Sequence, residues 1–231
     1  MKLRWLAVLA VGLATVQASA QETPSPKTQQ DKISYAIGAQ IALSLKNQGI
    51  DANPAMVAQA FKDVFAGGKL LMSEDDLRAT LSGLQQEMKQ KQSEAMAKAA
   101  DENRKAGEAF LVENGKKEGV TTLPSGLQYK VIIAGQGKKP TDADTVLCAY
   151  RGMFTDGREF DASPSGQPAA IGVGGVIPGF KEALKLMPVG SKWQIVVPSQ
   201  LAYGQVVAGD TIGPNATLVF EVELISIQDK P

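Results

Sequence analysis

A segment without proline, from Ser73 to Gly115, constrains the fold of this chain most strongly. It opens with Ser73-Glu-Asp-Asp76, a helix-capping pattern with acidic residues in the first turn. A helix over the whole segment would be about 60 Å long, at about 1.5 Å per residue. An apolar stripe marks only its first turns, at Leu77, Leu81, Leu84 and Met88. After Met88 the segment is mainly Ala, Lys, Gln, Glu and Ser on all sides until Phe110, which is typical of a helix that bridges domains through solvent. The early stripe is predicted to dock on an N-terminal core, and the later part to hold the next domain at a distance.

Two shorter amphipathic helices are predicted before this segment. The first begins at Asp31 and has apolar residues at every fourth position, Ile33, Ile37, Ile41 and Leu45. The second begins at Asn53-Pro54, an N-cap followed by proline, and its stripe comprises Met56, Val57, Ala60, Phe61, Val64 and Phe65. Two helices of this length enclose little apolar surface, so residues 31–72 are predicted to form a homodimer with a second copy. The alternative is that they pack on the rest of their own chain.

Residues 1–20, MKLRWLAVLAVGLATVQASA, have the pattern of a secretory signal peptide. Lys2 and Arg4 precede an apolar run, and Ala18-Ser-Ala20 is a small-residue cleavage site. A membrane anchor is the alternative, but the apolar run is too short to span a bilayer. We therefore expect cleavage near Ala20-Gln21, export to the periplasm and no membrane span in the mature chain. Secretion and association with the outer membrane remain open.

Charge and residue types exclude several classes of function. The formal net charge is zero, and loss of Lys2 and Arg4 with the signal leaves 22 basic against 24 acidic residues, a net charge of −2. This balance gives no electrostatic footprint for nucleic acid. The chain has no histidine, which removes Ser-His-Asp and Cys-His catalysis and the usual zinc sites, and no cofactor or metal is predicted. Its one cysteine, Cys148, lies in a strand-like pattern and is predicted to be a buried apolar residue rather than a reactive thiol.

From Val120 the apolar residues alternate with period two. Strands are predicted around Leu127–Ile132, Thr145–Gly152, Lys192–Val197 and Thr217–Ile225. Pro178 to Met187 is the one plausible helix among them, and Thr155-Asp-Gly157 is a tight hairpin turn. The predicted fold class is α+β, with a bent antiparallel sheet wrapped about one short helix. The predicted domains are a signal peptide (1–20), a helical dimerisation domain (21–72), a long connecting helix (73–115) and the sheet domain (116–231).

Four motifs stand in one order in the sheet domain. They are Tyr150-Arg-Gly-Met-Phe-Thr-Asp-Gly-Arg-Glu-Phe160-Asp161, Val176-Ile-Pro-Gly-Phe180, Leu201-Ala-Tyr-Gly204 and Pro214-Asn-Ala-Thr-Leu-Val-Phe220. Their order and spacing resemble those of FKBP-type peptidyl-prolyl cis-trans isomerases. With the signal, the helical hairpin and the long helix, the mature chain resembles the periplasmic dimeric branch, the Mip-like or FkpA-like proteins. The resemblance implies an apolar cleft between sheet and helix, and a V-shaped dimer with two catalytic domains held apart on helical arms.

The resemblance also implies the site residues. The catalytic set would be Phe160, Asp161, Ile177, Tyr203 and Phe220, and the substrate-binding set Tyr150, Val176, Phe180 and Ile212. The chain departs from the family pattern at three places. Phe180 stands where the pocket floor is usually Trp, Ala169 stands where some members have Phe, and the loop Gln205–Thr211 is not the short His-Pro-Gly type. A smaller floor is expected to weaken contact with the proline ring and with macrolide inhibitors such as FK506 and rapamycin. Outside the family pattern, the same residues would be expected to be ordinary core, turn and loop positions.

The implied reaction needs almost no ionisable group. Rotation about an X-Pro bond costs about 18–20 kcal/mol because amide resonance is lost, and no covalent bond is made or broken. A dry apolar pocket destabilises the planar dipolar amide more than the twisted one, which favours the transition state. The Ile177 N–H and the Tyr203 hydroxyl would hold substrate carbonyls on either side of the rotating bond. Asp161 is expected to organise the site rather than to donate a proton.

The predicted function is acceleration of X-Pro rotation during the folding of exported proteins. Unfolded or proline-containing polypeptides would be the partners, and two clefts on one dimer would add chaperone activity through effective concentration. The alternative is a binding module that recognises apolar or proline-containing segments without catalysis. A surface or secreted virulence factor acting on host matrix is a third hypothesis, from family analogy alone.

Overall fold

The computed structural model describes residues 25–164 and 166–228. The predicted signal peptide therefore lies outside the described residues. The described residues divide into two compact units, with the boundary between Glu74 and Asp75. None of the helices in the described ranges is long and apolar enough to cross a membrane. The domain boundaries drawn from the sequence stay a prediction.

The first unit contains two helices, α1 (Gln29–Asn47) and α2 (Pro54–Phe65). Thr28 caps α1, accepting the Asp31 N–H at 3.0 Å, while the Asp31 carboxylate accepts the Thr28 N–H at 2.9 Å. The helix therefore starts two residues before its predicted start, since the cap is Thr28 and Asp31 is the third helical residue. Asn53 caps α2 ahead of Pro54, as predicted.

The apolar stripes of this unit remain exposed. Neither α1 nor α2 has a buried residue, and Ile37 and Phe65 are 53% and 85% exposed. A groove of about 620 Å³ runs between the helices, lined in part by Ile41, Leu45, Val57 and Phe61. The predicted stripes are thus faces of the two helices, and no core is formed by the residues of this unit that the structure describes.

A single helix, α3 (Glu74–Gly115), extends for 42 residues, which confirms the long helix. Its last turns differ from the prediction, because they pack against the sheet of the second unit instead of standing in solvent. Gly107 and Asn114 are buried, and a Cβ at Gly107 would overlap the hydroxyl of Thr217. Asn114 Nδ2 donates to Gln128 Oε1 at 2.9 Å, and Gln128 Nε2 donates to the Leu111 carbonyl at 2.9 Å. Close approach at Gly107 and side-chain amides contribute to this contact, beside the half-buried Leu111.

The second unit is built on one antiparallel sheet of seven strands. The strands are β1 (Val120–Thr122), β2 (Gln128–Ile133), β3 (Thr145–Phe154), β4 (Glu159–Ala162), β5 (Ala169–Gly172), β6 (Lys192–Val197) and β7 (Leu218–Gln228). Their order is β1-β2-β6-β7-β3-β4, and β5 pairs with the start of β3. One short helix, α4 (Pro178–Leu186), contributes Leu184 to the core, which also contains Met187, Ile195, Leu218 and Leu224. The predicted α+β class, a helical N-terminal part followed by an antiparallel sheet about one short helix, is confirmed.

Cys148 lies at the centre of β3 and is fully buried in the core. Burial raises the pKa of its thiol to about 11, because the thiolate would lose its hydration. The prediction of a buried apolar residue rather than a reactive thiol is confirmed.

Candidate active site

Several elements of the second unit converge on one cavity of about 300 Å³. Strands β3, β4 and β7 form one side of it, the start of α4 forms another, and the loop after β6 contributes Tyr203. The residues that line it are Tyr150, Phe160, Asp161, Ile171, Gly175, Val176, Ile177, Phe180, Tyr203 and Phe220. Side chains from sequence positions more than sixty residues apart, such as Tyr150 and Phe220, are thereby brought to one place.

Eight of the nine site residues predicted from the sequence line this cavity, and Ile212 does not. Ile212 is only 7% exposed and belongs to the buried core. Its backbone exchanges hydrogen bonds with Ala208, so it closes the base of the loop Gln205–Thr211. The structure therefore places Ile212 in the core beside this loop, and its substrate-binding role stays a prediction.

Two lining residues, Ile171 and Gly175, were not predicted. Ile171 lies in β5, a strand of four residues, and is paired with Val146 of β3. Gly175 ends a single 3₁₀ turn just before Val176. A strand of four residues is too short for alternation to show which face is buried, so the only signal was an apolar residue beside a glycine-rich turn.

Three phenylalanine rings form the apolar part of the cavity. The Phe180 and Phe220 rings meet edge to face, with centroids 5.2 Å apart and planes at 85°. Phe160 and Phe220 meet at 5.7 Å and 87°. Edge-to-face packing fixes such rings against one another without filling the space in front of them. Phe180 is the most buried of the lining residues, at 4% exposure, and its role as the floor that meets the proline ring stays a prediction.

Gly152 allows two of these rings to reach the sheet. It pairs with Asp161 on β4 and with Phe220 on β7. A Cβ at this position would lie 2.7 Å from Cζ of Phe160 and 3.0 Å from Cε1 of Phe220. The glycine of the Tyr150-Arg-Gly motif is thus required by the packing of the aromatic walls.

The polar part of the cavity centres on Tyr150 and Asp161. The Tyr150 hydroxyl donates a hydrogen bond of 2.8 Å to Oδ2 of Asp161. Burial, and then the neighbouring Asp161 carboxylate, raise the pKa of Tyr150 to about 12. The phenol is therefore protonated throughout the neutral range and acts as a donor. The Tyr150 ring also meets Phe180 edge to face at 6.3 Å, which joins the polar pair to the floor.

Tyr203 forms the more open side of the cavity and is 41% exposed. It follows a 3₁₀ turn (Ser199–Leu201) and precedes Gly204, whose φ is +61°. The Gly204 N–H donates to the Ser199 carbonyl at 2.8 Å, which folds the loop back on itself. The hydroxyl of Tyr203 is thus presented from a tight turn rather than from a strand.

The chemistry available in the cavity is limited. It offers one carboxylate, two phenols and an apolar floor, with no imidazole or thiol on its walls. No cluster of residues able to hold a metal ion occurs in the ranges 25–164 and 166–228. Such walls can enclose an apolar ring and hold amide carbonyls, but they offer no histidine or cysteine nucleophile.

Comparisons with known proteins agree with this geometry. Residues 30–131 match the domain amino terminal to FKBP-type peptidyl-prolyl isomerase, and residues 136–225 match the FKBP-type peptidyl-prolyl cis-trans isomerase domain. The Outer membrane protein MIP of Legionella longbeachae is 44% identical, over 99% of this chain and 98% of its own. The peptidyl-prolyl cis-trans isomerase Mip of Coxiella burnetii is 40% identical over the full length of both chains.

A solved structure shows the same architecture. The crystal structure of FkpA from Escherichia coli matches with a TM-score of 0.70 and 36% identity, over 90% of this chain and all of that one. Both family domains are therefore present in one chain and in the order that the fold displays. The chain belongs to the FKBP family and is an FKBP-type peptidyl-prolyl cis-trans isomerase with the Mip- and FkpA-type amino-terminal domain.

Proposed function

We propose that X-Pro bonds rotate in the cavity between β3, β7 and α4, with Phe160, Phe180 and Phe220 enclosing the proline ring. The observation that carries the proposal is the set of perpendicular rings around one cavity of about 300 Å³. A pyrrolidine ring presents an apolar edge and face, and the three rings offer complementary surfaces.

Catalysis follows from the exclusion of water from the cavity. The planar amide carries a larger dipole than the twisted one, and water stabilises that dipole in solution. Enclosure by Phe180 and its neighbours removes this stabilisation, so the difference in free energy between planar and twisted amide falls. Part of the barrier of about 18–20 kcal/mol is thereby removed without proton transfer.

Polar groups at the rim hold the chain on either side of the rotating bond. The Ile177 N–H donates to one substrate carbonyl and the Tyr203 hydroxyl to another, while Val176 contacts the substrate side chains. Asp161 is held by Tyr150 at 2.8 Å and faces the twisted carbonyl as a fixed dipole partner. Fixed polar groups need no reorganisation at the transition state, which is their catalytic advantage.

A refolding assay limited by proline isomerisation tests these roles. Wild-type protein is expected to accelerate refolding, and Asp161→Ala and Tyr203→Phe are expected to reduce that acceleration. Asp75→Ala and Tyr35→Phe are matched controls outside the cavity, at exposed positions, with no expected effect. If both cavity variants match wild type, the assigned roles fail. If wild type also matches buffer, the cavity acts as a non-catalytic binding module for apolar or proline-containing segments.

Homodimerisation through residues 31–72 is the second part of the proposal. Its support is the exposure of both apolar stripes and the groove between α1 and α2. A two-helix unit without a buried residue gains its missing core when the same face of a second copy covers it. Such a dimer presents two cavities, and one unfolded client that binds both is held by effective concentration, which gives chaperone activity.

Export to the periplasm completes the proposal. The pattern of residues 1–20 supports cleavage near Ala20-Gln21. A relative carries the name of an outer membrane protein, which agrees with a protein that leaves the cytoplasm. Exported polypeptides in the course of folding would then be the clients, and macrolides of the FK506 type would compete for the cavity.

A further inference from the structure

The position of Tyr203 depends on a segment that lies eleven residues further along the chain. We call residues 214–217 the closing segment. The Asn215 N–H donates to the Gly204 carbonyl at 2.6 Å, directly after Tyr203. Because the Gly204 N–H is bonded to Ser199, both backbone groups of Gly204 are occupied. The turn that presents Tyr203 is therefore held by two hydrogen bonds, one to Ser199 at its start and one from Asn215.

The closing segment is held in turn by α3. Asn103 Nδ2 donates to the Pro214 carbonyl at 2.9 Å, across 111 positions of sequence. Asn215 Nδ2 donates to the Ala100 carbonyl at 3.3 Å, across 115 positions. One turn further along α3, Gly107 lies directly against Thr217. The helix and the closing segment are thus joined by two hydrogen bonds. In each, a side-chain amide of one element donates to a backbone carbonyl of the other.

Asn215 has an unusual backbone conformation. Its φ is +58°, the only positive φ of a non-glycine residue in the described ranges. Asparagine tolerates this left-handed region better than most residues, yet a small cost in free energy remains. Such conformations persist where the surrounding contacts determine them, and they are concentrated at functional sites. Here the determining contacts are the bond to Gly204 and the bond to α3.

The same segment leads into another wall of the cavity. Strand β7 begins at Leu218, directly after Thr217, and Phe220 is its third residue. A shift of the closing segment would therefore move the Tyr203 turn and the start of β7 together. Asn103 and Ala100 themselves do not line the cavity, so any effect on the reaction passes through the closing segment.

We propose that Asn103 and Asn215 are positioning residues for the isomerase reaction, through which α3 holds Tyr203 at the cavity. The proposal rests on the role proposed above for the Tyr203 hydroxyl. It gives the connecting helix a part in catalysis besides that of a spacer. The catalytic unit then includes the turns of α3 from about Ala97 onward.

The experiment uses the mature full-length protein and a proline-containing peptide as substrate. Asn103→Ala removes the bond to Pro214, and Asn215→Gly removes the bond to Ala100 while it keeps a residue that adopts positive φ. Glu102→Ala, an exposed neighbour on α3, is the matched control. We expect kcat/KM to fall about three- to tenfold in each amide variant and to stay unchanged in the control.

A second readout separates positioning from general destabilisation. Fluorotyrosine labelling gives one ¹⁹F resonance for each of the four tyrosines, and Tyr→Phe variants assign them. Asn103→Ala is expected to shift the Tyr203 resonance and to leave that of Tyr35 in place. In a Tyr203→Ala background, Asn103→Ala is expected to cause no further loss of kcat/KM, because the group it positions is gone.

Each outcome decides a different question. If Tyr203→Ala itself keeps wild-type activity, the proposed role of Tyr203 fails. If Tyr203→Ala loses activity while both Asn103→Ala and Asn215→Gly keep it, the positioning inference is overturned and the proposed function stands. Losses that persist undiminished in the Tyr203→Ala background would also overturn the inference, since the amides would then act by another route.

Discussion

The Tyr150 hydroxyl lies 2.8 Å from a carboxylate oxygen of Asp161, and the two residues come from adjacent strands that share the cavity wall. The phenol donates and the carboxylate accepts, so the only carboxylate in the cavity is already engaged. A carboxylate that already accepts a hydrogen bond in this way is poorly placed to deliver a proton to the substrate. Instead, Tyr150 holds the Asp161 carboxylate in a fixed position beside the proposed site of amide rotation.

The first prediction concerns the alkaline titration of Tyr150. Its pKa is raised from 10.0 to about 12, so the folded state holds this proton more tightly than the unfolded state. The stabilisation is fully present below about pH 10 and is lost as the pH rises through about 12. Tyrosinate absorbance should show one tyrosine that ionises last, and Tyr150→Phe should remove that step.

The free energy of unfolding gives the control for this titration. It should fall less steeply with rising pH in Tyr150→Phe than in wild type over the same alkaline range. Burial raises the pKa of Cys148 as well, but that contribution is common to both proteins and cancels in the comparison. A Tyr150→Phe protein with the wild-type slope would contradict the assignment of the shift to Tyr150.

The second prediction concerns the floor of the cavity. Phe180→Trp enlarges the apolar surface that meets the proline ring, so the variant should retain isomerase activity and bind FK506 more tightly. Phe180→Leu, which removes the aromatic surface, is the matched variant and should bind FK506 more weakly. Binding can be measured by inhibition of the peptide reaction. Weaker inhibition of the Trp variant would show that the walls formed by Tyr150 and Phe220 are shaped around a phenylalanine.

The third prediction concerns the homodimer. Ile37 lies on the apolar stripe of α1 and is 53% exposed in the single chain, so a charge there costs the monomer little. In the dimer the same charge would be buried without a partner, which is strongly unfavourable. Ile37→Lys should shift the mass measured by sedimentation from dimer to monomer. Tyr35→Lys, on the opposite face of the same helix and 70% exposed, should leave it unchanged, and a wild-type monomer would refute the proposed dimer.

Much of this fold could be predicted from the sequence because its elements have strong local signals. The caps at Asn53 and Ser73, the four-residue stripes and the alternation around Cys148 each specify one element with little dependence on the rest of the chain. The floor at Phe180 and the walls at Phe160 and Phe220 came from ordered motifs rather than from composition.

What could not be predicted depends on contacts between distant segments. The packing face of α3 includes Ala100, Asn103, Gly107, Leu111 and Asn114, which occur at helical spacing but, apart from Leu111, are small or polar. A search for apolar periodicity therefore treats this face as solvated. The position of Ile212 also depends on distant contacts, since its backbone pairs with Ala208 and its side chain is buried in the core.

The fourth prediction concerns the separate contributions of the catalytic domain and of the dimer. A fragment of residues 97–231 keeps the docked turns of α3 and should act on a short peptide as the full protein does. It should fail to prevent aggregation of a larger unfolded client, because it presents one cavity instead of two. Equal protection by fragment and full protein would refute the avidity argument.

A shorter fragment, residues 116–231, provides the comparison for stability. It loses Asn114 and the Leu111 carbonyl, which together satisfy the buried amide of Gln128. The fragment loses these hydrogen bonds, each contributing about 0.5–1.5 kcal/mol net, together with the packing of Gly107 on Thr217, so it should unfold at a lower temperature than residues 97–231.

The central claim is that the cavity lowers the rotational barrier by desolvation and positioning, without proton transfer in the transition state. It is tested most directly by kcat/KM for a proline-containing peptide in H₂O and in D₂O, at matched positions on the pH profile. A proton transferred in the transition state would slow the reaction in D₂O, whereas bond rotation is insensitive to the isotope. The account predicts equal rates in the two solvents. A rate that is halved or lower in D₂O would contradict it and would assign acid–base chemistry to the Tyr150–Asp161 pair.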